Sequence, residues 1–306
     1  MIHDSEAIKA LVARGRRRDK IFAVVGLMSM LVGVLTLAVL LVGLIDDGAS
    51  RLNWGFFENF PSRHAERAGI LSAIVGSSLV MLITAATAIP LGIAAGVYLE
   101  EYAKRSWVTT LIEVNVTNLA GVPSIIYGLL ALGLFVYALD LGQSIVSAGL
   151  TLALMILPVI IVATREAIRA IPANIREASY ALGASRWQTV RDHIIPYSTG
   201  GILTGVIIGL ARAIGETAPI ITIGALTFIA FLPPSPVTID FPFVSFEWLK
   251  SPFTVMPIQM FNWLSRPQAA FQENAAAAGI VLVVMTLLMN GIAIWLRIRF
   301  RRRIKW

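Results

Sequence analysis

Residues 21–45 read IFAVVGLMSMLVGVLTLAVLLVGLI, an uninterrupted run without a charged side chain. The hydrocarbon core of a bilayer is about 30 Å thick, and a helix needs roughly 20 mostly apolar residues to cross it. This run is long enough to cross, and it exceeds the roughly 7–15 apolar residues of a signal peptide. We therefore predict that residues 21–45 form a retained membrane-anchoring helix.

Five further apolar runs follow this first one along the chain. They occupy about 69–99, 119–139, 145–163, 199–231 and 276–296. Of the 306 residues, 57% are hydrophobic and 14% are charged, whereas about 25% are charged in ordinary soluble domains. The sequence thus predicts an all-α membrane protein with six transmembrane helices. The last five helices form a core domain over 69–296, between a basic N-terminal segment, 1–20, and a basic C-terminal segment, 297–306.

The basic residues are distributed unevenly between the two sides of this predicted membrane protein. With successive loops assigned to alternate sides, 19 of the 25 Lys and Arg residues lie on the side of both termini and five on the other. Cytoplasmic loops carry the excess of Lys and Arg. Both termini are therefore predicted to be cytoplasmic. The formal net charge of +7 is assigned to the membrane borders, and no nucleic-acid binding is expected.

Residue types that form metal and redox sites are scarce. The sequence contains no cysteine, which excludes disulfides, thiolate metal sites and cysteine nucleophiles. The three histidines, His3, His64 and His193, are scattered along the chain, so no metal site is predicted.

The cytoplasmic loop 164–198 has the pattern of two short helices. The first ends at Gly183, and the second starts at Ser185, where Ser185 and Gln188 have the spacing of a capping box. Pro196 is predicted to end the second helix. So compact a cytoplasmic loop indicates a docking site for a partner.

The loop contains a short motif, since residues 177–183 read EASYALG and Pro196 follows 13 residues after Gly183. This motif resembles the EAA loop of binding-protein-dependent ABC importers, whose pattern Glu177, Ala178, Gly183 and Pro196 match at the correct spacing. The sequence departs from that pattern at Ser179, His193 and Ile195, and the histidine puts the packing at its position in doubt.

The resemblance implies that the loop couples this chain to a separate ATPase. Small Ala178 and Ser179 would let the loop helix approach the ATPase closely, and Gly183 would permit the turn. The chain lacks the Gly-rich phosphate loop ending in Gly-Lys-Ser/Thr. We therefore expect no enzymatic activity and no cofactor bound by this chain, with ATP and Mg on the partner ATPase.

The fifth predicted span carries a glycine stripe and two charges. Gly201, Gly205 and Gly209 recur every four residues, and Arg212 and Glu216 fall on the same face if the helix is continuous. Glycines let another helix approach closely. Two charges four residues apart can neutralise each other, so they are expected to face protein or a pore.

A kink is predicted beside these charges, because Pro219 lacks a backbone donor. A kink next to charges often marks a substrate pathway, to which we assign Arg212, Glu216 and Thr217 together with Ser124 of the third span. Arg212 would attract an anion, and Glu216 could accept a hydrogen bond from a protonated oxyanion. The alternative, an ion pair that only fixes helix packing, stays open.

Two stretches resemble the PstA-type permeases of bacterial phosphate ABC transporters. Residues 211–219 read ARAIGETAP and residues 121–128 read GVPSIIYG. The resemblance implies the type I ABC importer permease fold and an inner-membrane location. It also implies inorganic phosphate as substrate and three kinds of partner, namely a second permease subunit, two cytoplasmic ATPase subunits and an extracytoplasmic phosphate-binding protein.

Two alternatives remain at this point. A permease for sulfate, molybdate or phosphonate would carry a similar loop. A membrane enzyme acting on lipid phosphates would need clustered carboxylates, and the only adjacent aspartates are Asp46 and Asp47. The long exported loop 232–275 has no assigned role, and Glu100 and Glu101 are interpreted as solvated charges at the cytoplasmic surface.

Overall fold

The structure is a computed structural model that describes residues 2–104, 106–235, 237 and 245–301, and most of these residues are helical. The helices are α1 (Ile2–Gly48), α2 (Trp54–Glu58), α3 (Leu71–Val97), α4 (Trp107–Leu119), α5 (Ser124–Ala131), α6 (Ile145–Arg169), α7 (Ala173–Ala181), α8 (Arg186–Thr189), α9 (Ile195–Gly215), α10 (Ala218–Ile223), α11 (Met256–Leu264) and α12 (Ala269–Arg301). Five of them are long and apolar enough to cross a membrane, or six if α4 and α5 count as one broken span. The described residues therefore form the all-α membrane fold that the sequence predicts.

Helix α6 lies at the centre of the bundle and packs closely against α3. A Cβ atom at Gly92 would lie 2.6 Å from the Ile160 side chain, and one at Gly96 would lie 2.7 Å from Thr164. Only glycine fits at such distances, so the backbones of α3 and α6 can approach each other. Residues of both helices contribute to the main apolar core.

The glycine stripe of α9 packs against an adjoining side of α6, where Ile160 faces both Gly92 of α3 and Gly209 of α9. A Cβ atom at Gly201 would lie 2.5 Å from Ala167 Cβ, one at Gly205 would overlap Ala163, and one at Gly209 would lie 3.5 Å from Ile156. The stripe thus places α9 against α6, as glycine-lined helices do in membranes.

Helices α1 and α12 form a separate antiparallel pair at the edge of the bundle. Gly48, at the end of α1, lies against the backbone of Ala276 and Ala277 near the start of α12. Arg51 Nε donates a hydrogen bond of 2.6 Å to Asn274 Oδ1 at the same end. Most of α1 is otherwise exposed, so this helix offers its apolar surface to lipid or to another chain.

The third predicted span, 119–139, starts later in the structure and is preceded by a helix that the sequence did not predict. Helices α4 and α5 meet at an angle of 109°, at a turn in which Val122 N–H donates to Leu119 O. Pro123 precedes α5 as its N-cap, and the residue before a proline is biased away from helical geometry. Helix α5 continues through a π-helical turn over Leu132–Ala138, so the helical part of this span covers 124–138, and α4 lies between the second and third predicted spans.

The fifth predicted span, 199–231, is broken in the structure and ends earlier than predicted. Helix α9 ends at Gly215, because Glu216 is extended with φ −77° and ψ 127°. Helix α10 follows and ends at Gly224, whose φ of +100° is left-handed. The break confirms the kink predicted beside Pro219, which is accommodated in the first turn of α10.

Pro196 does not end the second helix of the loop, contrary to the sequence prediction. A π-helical turn over Val190–Ile194 joins α8 to α9, so that the helix runs on without interruption. Ile195 N–H bonds to Val190 O across this wider turn, and Pro196 then occupies the first turn of α9. The proline, which has no N–H to donate, therefore lies within a continuous helix directly after the π turn.

The loop 232–275 is partly structured. It contains a 3-10 turn over Glu247–Lys250 and the short helix α11, in which Trp263 is fully buried. Met256 N–H donates a 2.8 Å hydrogen bond to Ser77 Oγ of α3, which seats the start of α11 against the core. Residues 236 and 238–244 of this loop, and residues 302–306 of the basic C-terminal segment, lie outside the described residues.

The two ends of the bundle can be distinguished by their contacts. Glu100, just after α3, bonds to Arg169 at the end of α6, beside the segment α7–α8. We call this the hairpin end, and the hairpin is defined as residues 173–194. Helix α6 starts at the opposite end, where Ile145 N–H donates to Ser251 O.

Candidate functional site

Arg212 and Glu216 form an ion pair at the break between α9 and α10. Arg212 Nε donates to Glu216 Oε1 over 3.2 Å. The two side chains are 37% and 19% exposed, respectively. The pair confirms the mutual neutralisation predicted from the spacing of four residues. It also leaves donors of the guanidinium available, because one nitrogen makes the contact that the structure records.

A small cavity lies beside Glu216. It lies between α3, α6, α9 and α10 and is lined in part by Ser77, Leu152 and Ile220. Its volume is about 10 Å³, which is close to the minimum that holds one water molecule. In this conformation the cavity therefore has no room for a tetrahedral oxyanion.

The two stretches singled out in the sequence meet at this break. A Cβ atom at Gly128 in α5 would lie 2.7 Å from Pro219 Cα and would overlap Thr222 Oγ1 of α10. The 121–128 and 211–219 stretches thus pack against each other next to the ion pair.

The other two residues assigned to the pathway lie in these two stretches. Ser124 is the first residue of α5, one turn before Tyr127, and it is half-buried. Thr217 lies in the break itself, and its carbonyl accepts hydrogen bonds from Ile220 and Ile221. The structure thus places Ser124 on the helix that packs against the break and Thr217 within it.

The hairpin presents part of the predicted coupling motif on its surface. Glu177 and Ala178 of α7 are exposed. Ser179 is buried, and its hydroxyl lies 2.9 Å from that of Thr189 in α8. The prediction that Ser179 lets a partner approach is therefore wrong, because this small residue instead allows α7 and α8 to pack together.

The turn of the hairpin exposes an apolar residue. Gly183 has a φ of +84°, which glycine adopts without the steric cost other residues incur. Leu182, just before it, is 90% exposed. The sequence pattern did not single out Leu182, although a leucine at a predicted turn is a usable signal of a contact surface.

The doubt attached to His193 is resolved by its neighbours. His193 is exposed, and Val190 and Ile194 are fully buried in a small apolar cluster with Val97, Ile168 and Ile171. This cluster attaches the hairpin to the ends of α3 and α6. The apolar packing is therefore supplied by residues three before and one after the histidine.

Glu101 is not a solvated charge, contrary to the interpretation from sequence. Its side chain is 6% exposed and accepts two hydrogen bonds from Arg176 of α7, at 2.7 Å from Nη2 and 3.0 Å from Nε. Arg176 also donates to the carbonyls of Ile168 and Ile171 at the end of α6. One guanidinium therefore joins three elements at the hairpin end.

Glu100 and Arg165 extend this set of charges to α4. Arg165 Nη2 lies 2.7 Å from Glu113 Oε1 of α4, and its Nε lies 3.5 Å from Glu100 Oε2. Arg169 Nε bonds to both oxygens of Glu100, at 2.9 and 3.0 Å. We call Glu100, Glu101, Glu113, Arg165, Arg169 and Arg176 the charge cluster. Its signal in the sequence is the pair of adjacent glutamates after an apolar run.

The two regions are far apart. Arg212 lies 17 residues after Ile195, where α9 starts at the hairpin end, which corresponds to about 25 Å at 1.5 Å per residue. The ion pair and the hairpin are thus separate sites connected by helices. Among the described residues, no group of three or more His, Asp or Glu side chains is placed to hold a metal ion.

The match to a known family spans both regions. Residues 88–306 match the model of the family described as binding-protein-dependent transport system inner membrane component. The chain belongs to this family. The match covers the hairpin, the ion pair and all helices of the core except the first part of α3, so the permease is an ABC importer subunit and an inner-membrane component.

Individual relatives of the permease agree with this assignment. It is 34% identical to a probable ABC transporter permease, YqgI, of Bacillus subtilis over 269 residues, 85% of this chain and 90% of the relative. It is 30% identical to the phosphate transport system permease PstA of Yersinia pestis over 282 residues, 90% and 88% of the two chains. A PstA of Pasteurella multocida is also 30% identical, over 94% of this chain and 96% of that one. The predicted resemblance is confirmed.

The permease also has the fold of a solved ABC importer. A chain from the inward-facing MetNI methionine ABC transporter superimposes with a TM-score of 0.55 at 16% identity, covering 78% of this chain and 98% of that chain. At that identity the likeness shows the fold alone. The type I permease fold expected from the sequence is confirmed.

Proposed function

We propose that this permease subunit moves inorganic phosphate into the cytoplasm, energised by a separate ATPase. The observation that carries the proposal is the Arg212–Glu216 ion pair at a helix break, packed against α5. A charged pair inside a membrane bundle marks a pathway more often than a structural contact. Similarity to two phosphate transport permeases over most of the chain supports the choice of ion.

The pair has the chemistry to distinguish phosphate from sulfate. The Arg212 guanidinium offers a planar set of donors that matches an oxyanion. Glu216 accepts hydrogen bonds, so it favours an oxyanion that carries a proton. Phosphate keeps one or two protons near neutral pH, whereas sulfate has none. Ser124 and Thr217 add hydroxyl groups that can donate to the same ion.

The hairpin is proposed to face the cytoplasm and to bind the ATPase. The side that contains both termini and the hairpin carries 19 of the 25 Lys and Arg residues, which matches the cytoplasmic excess of basic residues. Exposed Glu177, Ala178 and Leu182, with the turn at Gly183, provide the docking surface, and Pro196 fixes the start of α9 behind it.

The complete importer would contain further chains. The exposed apolar surface of α1 and of α4 suits contacts with lipid and with a second permease subunit. Two cytoplasmic ATPase subunits would bind ATP and Mg, and an extracytoplasmic protein would deliver phosphate to the end opposite the hairpin. This chain itself is proposed to bind no cofactor and to catalyse no reaction.

The test is uptake by the reconstituted complex in proteoliposomes. Phosphate supplied outside the vesicles, with ATP inside them, should accumulate in the vesicles, and sulfate should not. Glu216→Gln should reduce phosphate uptake and weaken the discrimination, while Glu66→Gln, an exposed carboxylate at the opposite end, should leave both unchanged. Unchanged uptake and discrimination in Glu216→Gln would remove Glu216 from the mechanism.

The same experiment separates the other oxyanions. Accumulation of sulfate, molybdate or phosphonate in place of phosphate would replace the proposed substrate and keep the importer. Phosphate release from added lipid phosphates, with no accumulation, would favour a membrane enzyme instead.

A further inference from the structure

The hairpin is attached to the bundle by an ion pair, Arg176–Glu101, that is not part of the proposed docking surface. Arg176 lies on the side of α7 that faces the bundle, next in sequence to exposed Glu177. Its four hydrogen bonds join the carboxylate of Glu101 after α3 and the carbonyls of Ile168 and Ile171 at the end of α6. These carbonyls lie at the negative end of the α6 dipole, where a cation is stabilised.

Burial makes this attachment rigid. Glu101 is 6% and Arg176 21% exposed, so breaking the bond would leave a carboxylate in a site with little access to water. The apolar cluster of Val97, Ile168, Ile171, Val190 and Ile194 surrounds the same junction. A displacement of α7 therefore displaces the end of α3 with it.

The rest of the charge cluster continues from α3 to α4. Glu100 neighbours Glu101 and lies 3.5 Å from Arg165, which in turn lies 2.7 Å from Glu113. Helix α4 has no buried residue, and the ion pair between Arg165 and Glu113 is a polar contact that links it to α6. Helix α4 leads through the 109° bend into α5, whose Gly128 packs against α10 beside Arg212 and Glu216.

We propose that Arg176 is a positioning residue that transmits movement of the hairpin to α3, and that the Glu100–Arg165–Glu113 series passes it on to α4 and α5. The inference rests on the proposed role of the hairpin in ATPase docking. It adds a specific route from the docking surface to the ion pair about 25 Å away. In this route, ATP binding to the partner ATPase alters the packing at the break between α9 and α10, although the ATPase does not touch that break.

The test uses a single reporter thiol, since the chain has no cysteine of its own. Thr217→Cys, in the break, is placed in the complete complex with the second permease and the ATPase. The rate at which this introduced thiol reacts with a maleimide is measured by peptide mass spectrometry, with and without nucleotide trapped by vanadate. No phosphate is added. Failure of phosphate uptake in the native complex would therefore contradict the proposed function but would not affect the outcome of this test.

Four variants are compared in the reporter background. Trapped nucleotide should change the reaction rate of the reporter thiol in the parent and in Glu166→Gln, whose carboxylate is 65% exposed and contacts only Arg169 of its own helix among the recorded ion pairs. Arg176→Gln and Glu101→Gln should each lose that response while the ATPase stays attached and hydrolyses ATP. The double variant should behave like the single variants, because each single variant already removes the ion pair between α7 and the end of α3.

Two results would overturn the proposal. The first is a normal nucleotide response in Arg176→Gln or Glu101→Gln, and the second is release of the ATPase from either variant, which would make Arg176 part of the docking surface. If Arg176→Gln does not accumulate, Glu101→Gln carries the test, because it keeps the bonds from Arg176 to the carbonyls.

Discussion

The two charged regions of the permease are built in opposite ways. Arg212 and Glu216 are four residues apart, share one contact of 3.2 Å and remain partly exposed. Arg176 and Glu101 are 75 residues apart, share two hydrogen bonds and are largely buried. The difference indicates separate tasks, since a local, accessible pair can exchange its partner for an ion, whereas a buried, multiply bonded pair holds helices together.

The strongest test of this contrast is the stability of Arg176→Ala. Removing one partner of a buried ion pair leaves an uncompensated charge and costs about 3–5 kcal/mol. We expect a loss of that size in the free energy of unfolding, measured by denaturant titration in detergent. Arg191→Ala is the control, because Arg191 pairs with the adjacent Asp192 at the surface and its loss should not change stability measurably. Equal losses would refute the contrast.

A second prediction concerns the helices that connect the two regions. Gly205 packs against Ala163 with no room for a Cβ atom, whereas Gly200 on the same helix has open space around it. Gly205→Ala should therefore lower the free energy of unfolding by about 1–3 kcal/mol through overpacking. Gly200→Ala should raise it by up to about 1 kcal/mol, because alanine favours a helix. The reverse order would show that α9 does not pack on α6 through this stripe.

A smaller stability effect is expected at the local pair. Arg212→Gln removes a single contact between residues four apart, and such pairs contribute about 0.2–0.5 kcal/mol. The unfolding transition should therefore move little, in contrast to that of Arg176→Ala. A loss as large as that of Arg176→Ala would support the alternative in which the pair only fixes helix packing.

The smallest stability effect is expected at the tip of the hairpin. Leu182 is 90% exposed, so Leu182→Ser should leave the unfolding transition unchanged. It should nevertheless reduce the amount of ATPase that copurifies with the permease. Trp54→Ser is the matched control, since Trp54 is also highly exposed but lies in α2 at the opposite end. Equal copurification of both variants would exclude Leu182 from docking.

The sequence predicts features that depend on neighbouring residues and misses those that depend on distant ones. The Arg212–Glu216 contact follows from a separation of four residues, although Glu216 lies just beyond the end of α9. The break follows from Pro219, and the capping box at Ser185 and Gln188 follows from a local pattern that the structure confirms. The Glu101–Arg176 contact does not follow, because nothing in a spacing of 75 residues brings two side chains together.

The predicted helix boundaries are inaccurate for a related reason. The bend before Pro123 lies at the start of the predicted apolar run 119–139, and hydropathy is unchanged by the direction of the chain. The π turn over Val190–Ile194 adds one residue to a helical turn, and it lets Pro196 continue a helix that the sequence pattern ends there. Backbone geometry at these points is set by tertiary packing, which single-residue preferences do not contain.

The central claim is that the Arg212–Glu216 ion pair contacts the transported ion and that the hairpin binds the ATPase. It is tested most directly by measuring phosphate uptake, ATP hydrolysis and ATPase copurification in parallel for Arg212→Gln and Glu177→Arg in reconstituted complexes. Arg212→Gln should keep the ATPase attached and active but lose uptake, whereas Glu177→Arg should lose the attachment and therefore the uptake. Intact uptake and attachment in Glu177→Arg, or detachment of the ATPase in Arg212→Gln, would contradict it.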